Sequence, residues 1–180
     1  MKHETVATQS TIVAERFVMR PVQKSDSGLI AMYASDERVA RGTRHIPHPL
    51  PPGAVDAMIA RANVNNKEED IWVIDGSAHN HAEVLGLITL KRMDRDQSEF
   101  FGWVAPAFWN TGIAAQAVQA LIDANPHGAD RLFAEVFQDN PTSARVLTNC
   151  GFDYLGDAEA FSVARDATVA TWTYTIKTRK

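Results

Sequence analysis

Phe101-Gly-Trp-Val-Ala-Pro-Ala-Phe-Trp-Asn-Thr-Gly-Ile-Ala-Ala-Gln116 is an aromatic, strand-like run that passes through one turn into a helix opening on Thr111-Gly112. The first N–H groups of a helix have no intrahelical partner and carry the positive end of the macrodipole. A start lined by Gly112, Ala114 and Ala115 therefore lets an anion approach the backbone closely. The same small residues suit close packing of a helix on a strand, and the glycine turn alone leaves both readings open.

Around this stretch the pattern alternates between strand and helix. Ser98 to Val104 forms the strand, entered from the polar turn Asp94-Arg-Asp-Gln97; before it, Ile71–Asp75 and Glu83–Arg92 are β-rich runs split by Gly76–His81, as in a hairpin. Upstream, Thr11–Ala14 and Arg16–Val22 read as a first strand ended by proline. Ser25-Asp-Ser27 can cap a helix over Gly28–Ala34, and a short helix covers Asp36–Arg41. The proline-rich run Gly42–Gly53 is a loop, because proline removes donors and restricts the residue before it; a helix follows over Ala54–Asn63. Downstream of the helix Thr111–Ala124, Asn125-Pro-His-Gly128 breaks the chain and Arg131–Phe137 is strand-like. Asn140 caps a helix that begins at Pro141 and stops at Gly151, and the strands Phe152–Leu155 and Val169–Ile176 close the chain, with Gly156–Ala167 as a loop. This order predicts an α/β (α+β) fold with a mixed sheet.

With 180 residues, 45% hydrophobic and 22% charged, the chain is expected to form one domain over residues 1–180, with residues 1–9 a flexible N-terminus. A net charge of −4 without a basic cluster argues against a nucleic-acid partner. Cys150 is the only cysteine, which excludes an intrachain disulfide framework and any CxxC motif. No apolar run reaches signal-peptide or membrane-spanning length, so no membrane partner is expected and cytoplasmic residence is the default.

Three motifs in the right order resemble the GNAT N-acetyltransferase superfamily. Trp109-Asn-Thr-Gly-Ile-Ala114 looks like its pyrophosphate loop, commonly (Gln/Arg)-x-x-Gly-x-(Gly/Ala), and follows a strand ending Val104-Ala-Pro106. Asn140-Pro-Thr-Ser-Ala-Arg-Val-Leu-Thr-Asn-Cys-Gly-Phe152 looks like the Asn-x-x-Ser-x-x-(Val)-Leu-x-x-x-Gly-Phe helix of the ribosomal-protein N-terminal-alanine (Rim-type) branch. Arg16-Phe-Val-Met-Arg-Pro21 with Asp26 is similar to that branch's Arg-Leu-x-Leu-Arg-Pro…Asp opening. Order and spacing carry this, since one short motif alone is weak.

The resemblance implies a GNAT fold: a mostly antiparallel sheet of six to seven strands with a splayed parallel pair, flanked by four to five helices. It implies acetyl transfer from acetyl-CoA to an amine without a metal. The splay would lie between the strands Glu99–Val104 and Arg131–Phe137, where backbone near Trp103 and Val104 would hold the pantetheine arm and the Val104 N–H would face the oxyanion. Trp109, Asn110, Thr111, Gly112, Ile113, Ala114 and Ala115 would form the pyrophosphate loop, and Asn140 and Ser143 would lie near the thioester. Relatives usually carry a basic residue where Thr111 stands and often a hydroxyl where Ala115 stands. Each lost contact of that kind costs ~0.5–3 kcal/mol of affinity.

Two catalytic candidates follow. Ser143 is one: within the resemblance it can protonate the departing thiolate, and otherwise it belongs simply to a capped helix. A tyrosine acid stands at the position of Leu147 in many relatives outside the branch, so that route is closed here. Glu99 is the other. It alternates with Phe101 and Trp103 on one sheet face, where a carboxylate beside two aromatics can act as a general base, or it can be solvated beside the Asp94–Gln97 turn. Asp157 and Glu159 are further acidic candidates. His45 and His48, in the loop that would wall the acceptor site, lack the spacing and third ligand of a metal site and read as surface histidines, while Trp72 and Trp172 read as core.

Neutralising an α-amine at pH 7 costs about one pKa unit, ~1.4 kcal/mol, against ~4–5 kcal/mol for lysine. Without an unmistakable base, a protein N-terminal α-amine is therefore the first expectation, reached by direct transfer in a ternary complex. A small-molecule amine such as an antibiotic or polyamine is the alternative, and a module that binds coenzyme A without turnover is a third reading. A monomer or homodimer is expected.

Overall fold

The computed structural model describes residues 9–64 and 67–178. In chain order it forms β1 (Ile12–Val13), β2 (Val18–Pro21), α1 (Ser27–Ala34), α2 (Glu37–Arg41), α3 (Ala54–Ala62), β3 (Glu69–Asp75), β4 (Gly86–Met93), β5 (Gln97–Val104), α4 (Ile113–Ala124), β6 (Arg131–Phe137), α5 (Pro141–Asn149), β7 (Asp153–Ser162) and β8 (Ala167–Lys177). The strands make one sheet in the order β1-β2-β3-β4-β5-β6-β8-β7, with β5 and β6 parallel and every other neighbouring pair antiparallel.

Period-two alternation assigns the two faces. On β3, Ile71 and Val73 point to one side, where they join Ile30 of α1 and Val55, Ile59 and Ala62 of α3. Trp72 and Ile74 point to the other, joining Ile113, Ala117, Val118 and Leu121 of α4 and Ala144 and Leu147 of α5. The strand Arg131–Phe137 and the Pro141 helix start stand where the sequence puts them. Trp72 is fully buried and Trp172 packs against the same core cluster, as read.

Three expectations change. The first strand is a hairpin, because the Ala14 N–H donates to the Phe17 carbonyl and folds β1 back on β2, which makes eight strands among the described residues. Most of the presumed loop Gly156–Ala167 is strand: β7 and β8 pair continuously from Tyr154↔Tyr174 past a bulge to Ser162↔Ala167. Edge strand β7 is exposed along most of its length, so the alternation that marks a half-buried strand is missing. The flexible terminus falls outside the described residues except for Gln9, whose side-chain amide donates to the Ile71 carbonyl at 2.8 Å.

The Arg-Pro…Asp opening has a physical basis. The Arg20 guanidinium donates twice to the buried Asp26 carboxylate, both at 2.8 Å, and once to Asp75 at 2.8 Å, while Asp26 also accepts from the Gln23 N–H. This joins β2 and β3 to the start of α1, and a fork of this kind is the stronger class of ion pair. Burial works to raise the Asp75 pKa, but hydrogen bonds from Arg20 and Ser77 outweigh it and hold the carboxyl below its ordinary value.

Removing one partner of such a buried pair is costly. Asp26→Asn is expected to lower stability by ~3–5 kcal/mol in urea unfolding. Because the folded Asp75 pKa lies below the unfolded value of ~3.9, its contribution is complete above that pH and lost as pH falls through the folded value. Stability measured against pH should drop below about pH 4, and Asp75→Asn should make that drop shallower.

Candidate active site

The parallel strands part soon after they meet. β5 and β6 pair at Gln97↔Arg131, Ser98↔Leu132 and Glu99↔Phe133 and not beyond, while β5 keeps pairing with β4 as far as Val104. The Ala105 N–H donates to the Leu85 carbonyl at 2.8 Å, which fixes the phase of that ladder. Successive residues of an antiparallel strand direct their backbone groups to opposite neighbours, so Phe101 and Trp103 spend theirs on β4. Phe100, Gly102 and Val104 turn theirs toward β6, where the pairing has ended. The Val104 carbonyl accepts from Trp109 Nε1 at 2.7 Å, and the Val104 N–H is left directed into the gap.

A buried row closes the lower end of this gap. Ser98 Oγ lies 2.9 Å from His127 Nδ1, His127 Nε2 lies 2.6 Å from Asp70 Oδ2, and Lys67 Nζ pairs with Asp70 Oδ1 at 3.0 Å. Burial raises the Asp70 pKa, and the hydrogen bonds from His127 and Lys67 more than reverse it, so the carboxyl stays below its ordinary value. A serine–histidine–aspartate row makes a nucleophile only where the serine meets substrate. At 1% exposure Ser98 does not, and the row pins the α4–β6 connection to β3 and β5. The sequence marked Asn125–Gly128 only as a breaker.

On one face of the sheet lies the mouth of α4. Gly112 precedes the helix at φ +81°, no side chain caps the helix, and Asn110, Thr111 and Gly112 are exposed. Ile113 is buried in the core, while Ala114 and Ala115 are half-buried, so this turn offers mainly backbone. Trp109, 45% exposed, is held by the Val104 carbonyl and faces the Arg38 guanidinium at 5.8 Å. The Thr111 hydroxyl donates to the Phe108 carbonyl at 2.5 Å. A cation reaches this loop by another route: Arg16 Nη2 donates to the Thr111 carbonyl at 2.8 Å and Nε to Gln116 Oε1 at 2.9 Å. On neighbouring α5 the Asn140 side chain accepts from the Ser143 N–H at 3.3 Å, the cap read from sequence, and Ser143 is half-buried. The Cys150 thiol, its pKa raised by burial, donates to the Ala115 carbonyl at 3.6 Å and links the two helices.

On the opposite face, Trp103 stacks near Tyr33 at 6.3 Å and Phe101 near His45 at 5.3 Å. Glu99 is not solvated beside its turn. Arg44 Nη2 pairs with Glu99 Oε1 at 2.5 Å and Nη1 with Glu135 Oε1 at 3.0 Å, while Thr171 donates to Glu135 Oε2 at 3.1 Å. Loss of solvent followed by the Arg44 charge lowers the His45 pKa, which favours a neutral ring. The proline-rich loop is held here because the Val163 N–H donates to the Arg44 carbonyl and Arg165 binds both the Arg41 carbonyl and Asp139. Glu99 and Ser143 thus stand on opposite faces and face a common space only through the gap. Asp157 and Glu159 are exposed on β7, two strands from β6, and Asp157 accepts from the Tyr154 hydroxyl. Among the described residues no group of three or more His, Cys, Asp or Glu could hold a metal ion, and no helix is long and apolar enough to cross a membrane. Arg44, His127 and Glu135 escaped sequence reading, since nothing local marks them, and Arg16 was read only as the first residue of the Arg-Leu-x-Leu-Arg-Pro…Asp opening, with no contact to the α4 loop.

Residues 16–153 match the family model described as an acetyltransferase (GNAT) domain. The chain belongs to the GNAT acetyltransferase family. No curated protein sequence matches it. As a GNAT fold it is similar to the ribosomal-protein-S5-alanine acetyltransferase of Vibrio fischeri, with 19% identity, TM-score 0.77, and 95% of this chain and 98% of that one covered. The Vibrio cholerae spermidine N-acetyltransferase solved with CoA and spermine is similar at 15% identity and TM-score 0.76, over 91% and 96%. A microcin C7 self-immunity acetyltransferase solved with acetyl-CoA and AMP is similar at 14% identity and TM-score 0.80, over 97% and 99%. This GNAT chain is therefore an acetyl-CoA-dependent N-acetyltransferase. The residues fit that cosubstrate on two counts: an uncapped helix start opens behind a left-handed glycine, and unpaired strand backbone lines the gap.

A side chain at position 112 would have to accept the left-handed backbone and press on Arg16, whose Nη2 stands 3.3 Å from the Cβ position. Gly112→Trp is expected to abolish acetyl-CoA binding in calorimetry while the far-UV circular dichroism spectrum stays that of the parent. Unchanged affinity would place the pyrophosphate elsewhere.

Proposed function

We propose that this GNAT enzyme acetylates the α-amine of a protein N-terminus by direct transfer within a ternary complex. The observation that carries the reading is the gap between β5 and β6, with the α4 mouth on one side and the Glu99–Arg44–Glu135 group on the other. Acetyl-CoA supplies the activated acyl group. Backbone amides from Asn110 to Ala115 hold its pyrophosphate, and the Val104 N–H donates toward the acyl oxygen, where a fixed donor counts most as negative charge develops. Ser143, at the start of α5, protonates the leaving sulfur in this reading.

The amine arrives from the face that carries Glu99. The proline loop is tied to the β7–β8 turn there by the Val163 N–H donating to the Arg44 carbonyl, and together they wall the side from which the acceptor approaches. Glu99 is the general base of this reading. Arg44 pairs with its carboxylate, and an α-amine gives up its proton at about two and a half pKa units less cost than a lysine, measured between their ordinary values. A second reading has its own support: two carboxylates at the gap also suit a polyamine, and the Vibrio cholerae relative was solved with spermine.

Thiol release measured over a panel of N-terminal peptides, spermidine and an aminoglycoside separates these. Peptides are expected to lead in kcat/KM by at least about tenfold, with N-terminally blocked peptides inert; a preference for spermidine overturns the first reading. In the same assay Glu99→Gln should lower kcat/KM by about 100-fold or more, the usual scale for a lost general base. A loss of less than about threefold would leave Glu99 only its ion pair.

A further inference from the structure

We propose that Arg16 is a positioning residue for the pyrophosphate loop, supplying from the β1–β2 turn what position 111 lacks. The inference rests on the reading that the pyrophosphate of acetyl-CoA sits at the start of α4. Thr111 brings no charge to this loop, and its hydroxyl is already spent on the Phe108 carbonyl. The guanidinium of Arg16 instead binds the Thr111 carbonyl at 2.8 Å, and its Nε is fixed by Gln116 one turn along α4 at 2.9 Å. Two bonds from one rigid plane define where that carbonyl points.

The consequence lies in the peptide that follows. In a planar trans peptide the carbonyl and the next N–H point in opposite directions, so anchoring the Thr111 oxygen on Arg16 aims the Gly112 N–H to the other side of the loop. Gly112, at φ +81°, carries no Cβ to restrict this peptide, so a tie from outside the loop adds to what sets the donor's direction. The fit is close: a Cβ built on Gly112 would stand 3.3 Å from Arg16 Nη2. Arg16 thus sets the direction of one anion-binding amide and places a permanent positive charge just behind it.

Attachment of the hairpin does not need this contact. Phe17 and Ile12 are buried in the same core cluster as Ile113 and Ala117, so apolar packing already holds β1 and β2 against α4. Loss of the Arg16 side chain should therefore act on the loop before it acts on the fold.

Calorimetric titration with acetyl-CoA, and donor kinetics with acetyl-CoA against S-acetylpantetheine, which has the same thioester arm and no pyrophosphate, test this in the full chain. Arg16→Met is expected to raise the acetyl-CoA Kd about tenfold or more, the scale of a lost hydrogen bond from a charged group. The preference in kcat/KM for acetyl-CoA over S-acetylpantetheine should shrink by a similar factor, kcat at saturating acetyl-CoA should stay within about twofold, and the unliganded melting temperature should be unchanged. Arg16→Lys should recover part of the affinity. A Kd within about twofold of the parent overturns the proposal, and so does an equal loss with both donors accompanied by a lower melting temperature. If the parent chain binds acetyl-CoA but acetylates no N-terminal peptide, the acceptor reading falls while the affinity comparison for Arg16 still stands.

Discussion

Two parallel strands that pair for three residues and then separate set the terms for the rest of this molecule. Strand backbone that is neither paired nor solvated is expensive, so a sheet opens in its middle only where other bonds hold it open and the freed groups have something to meet. Here the holding bonds are identifiable. The Asp70–His127–Ser98 row clamps the lower end, Trp109 takes the last free carbonyl of β5, and Arg44 spans the two strands by binding one carboxylate from each. Helices α4 and α5, joined through Cys150 and Ala115, cover the opening from one side. The separation is a built feature of the sheet.

The two faces divide the chemistry. The α4–α5 face is nearly free of side-chain charge at the loop itself and presents mainly amides, with Arg16 behind them. The α1–α3 face concentrates charge around one guanidinium, with aromatic rings on either side of the strand end. The amide-lined helix start and the charged cluster thereby lie on opposite sides of a layer one sheet thick, and the backbone of Val104 stands at the gap between them.

Much of this was legible in the sequence because it is local. The Asn140 cap, the glycine turn at Gly112, the Arg131–Phe137 strand and the β-rich run Ile71–Asp75 each follow from residues a few positions apart. What escaped is non-local. Arg44 meets Glu99 and Glu135 across 55 and 91 residues, and His127 meets Asp70 across 57, distances at which no periodicity survives. The β7–β8 hairpin failed for another reason: with both faces of β7 exposed, the residues from Gly156 to Ser162 lack the apolar alternation by which a strand announces itself. Glu99 illustrates both limits, since its face was readable and its partner was not.

The tie between Arg16 and Thr111 spans 95 residues. Bringing such distant segments together costs loop-closure entropy that only the finished sheet can offset, so this contact belongs among the late events of folding. During synthesis the arginine is made 95 residues before the loop it ties. Helix α4 is built from contacts a few residues apart, whereas the shape of the loop at its head leans on a contact that exists only once the β1–β2 hairpin has docked.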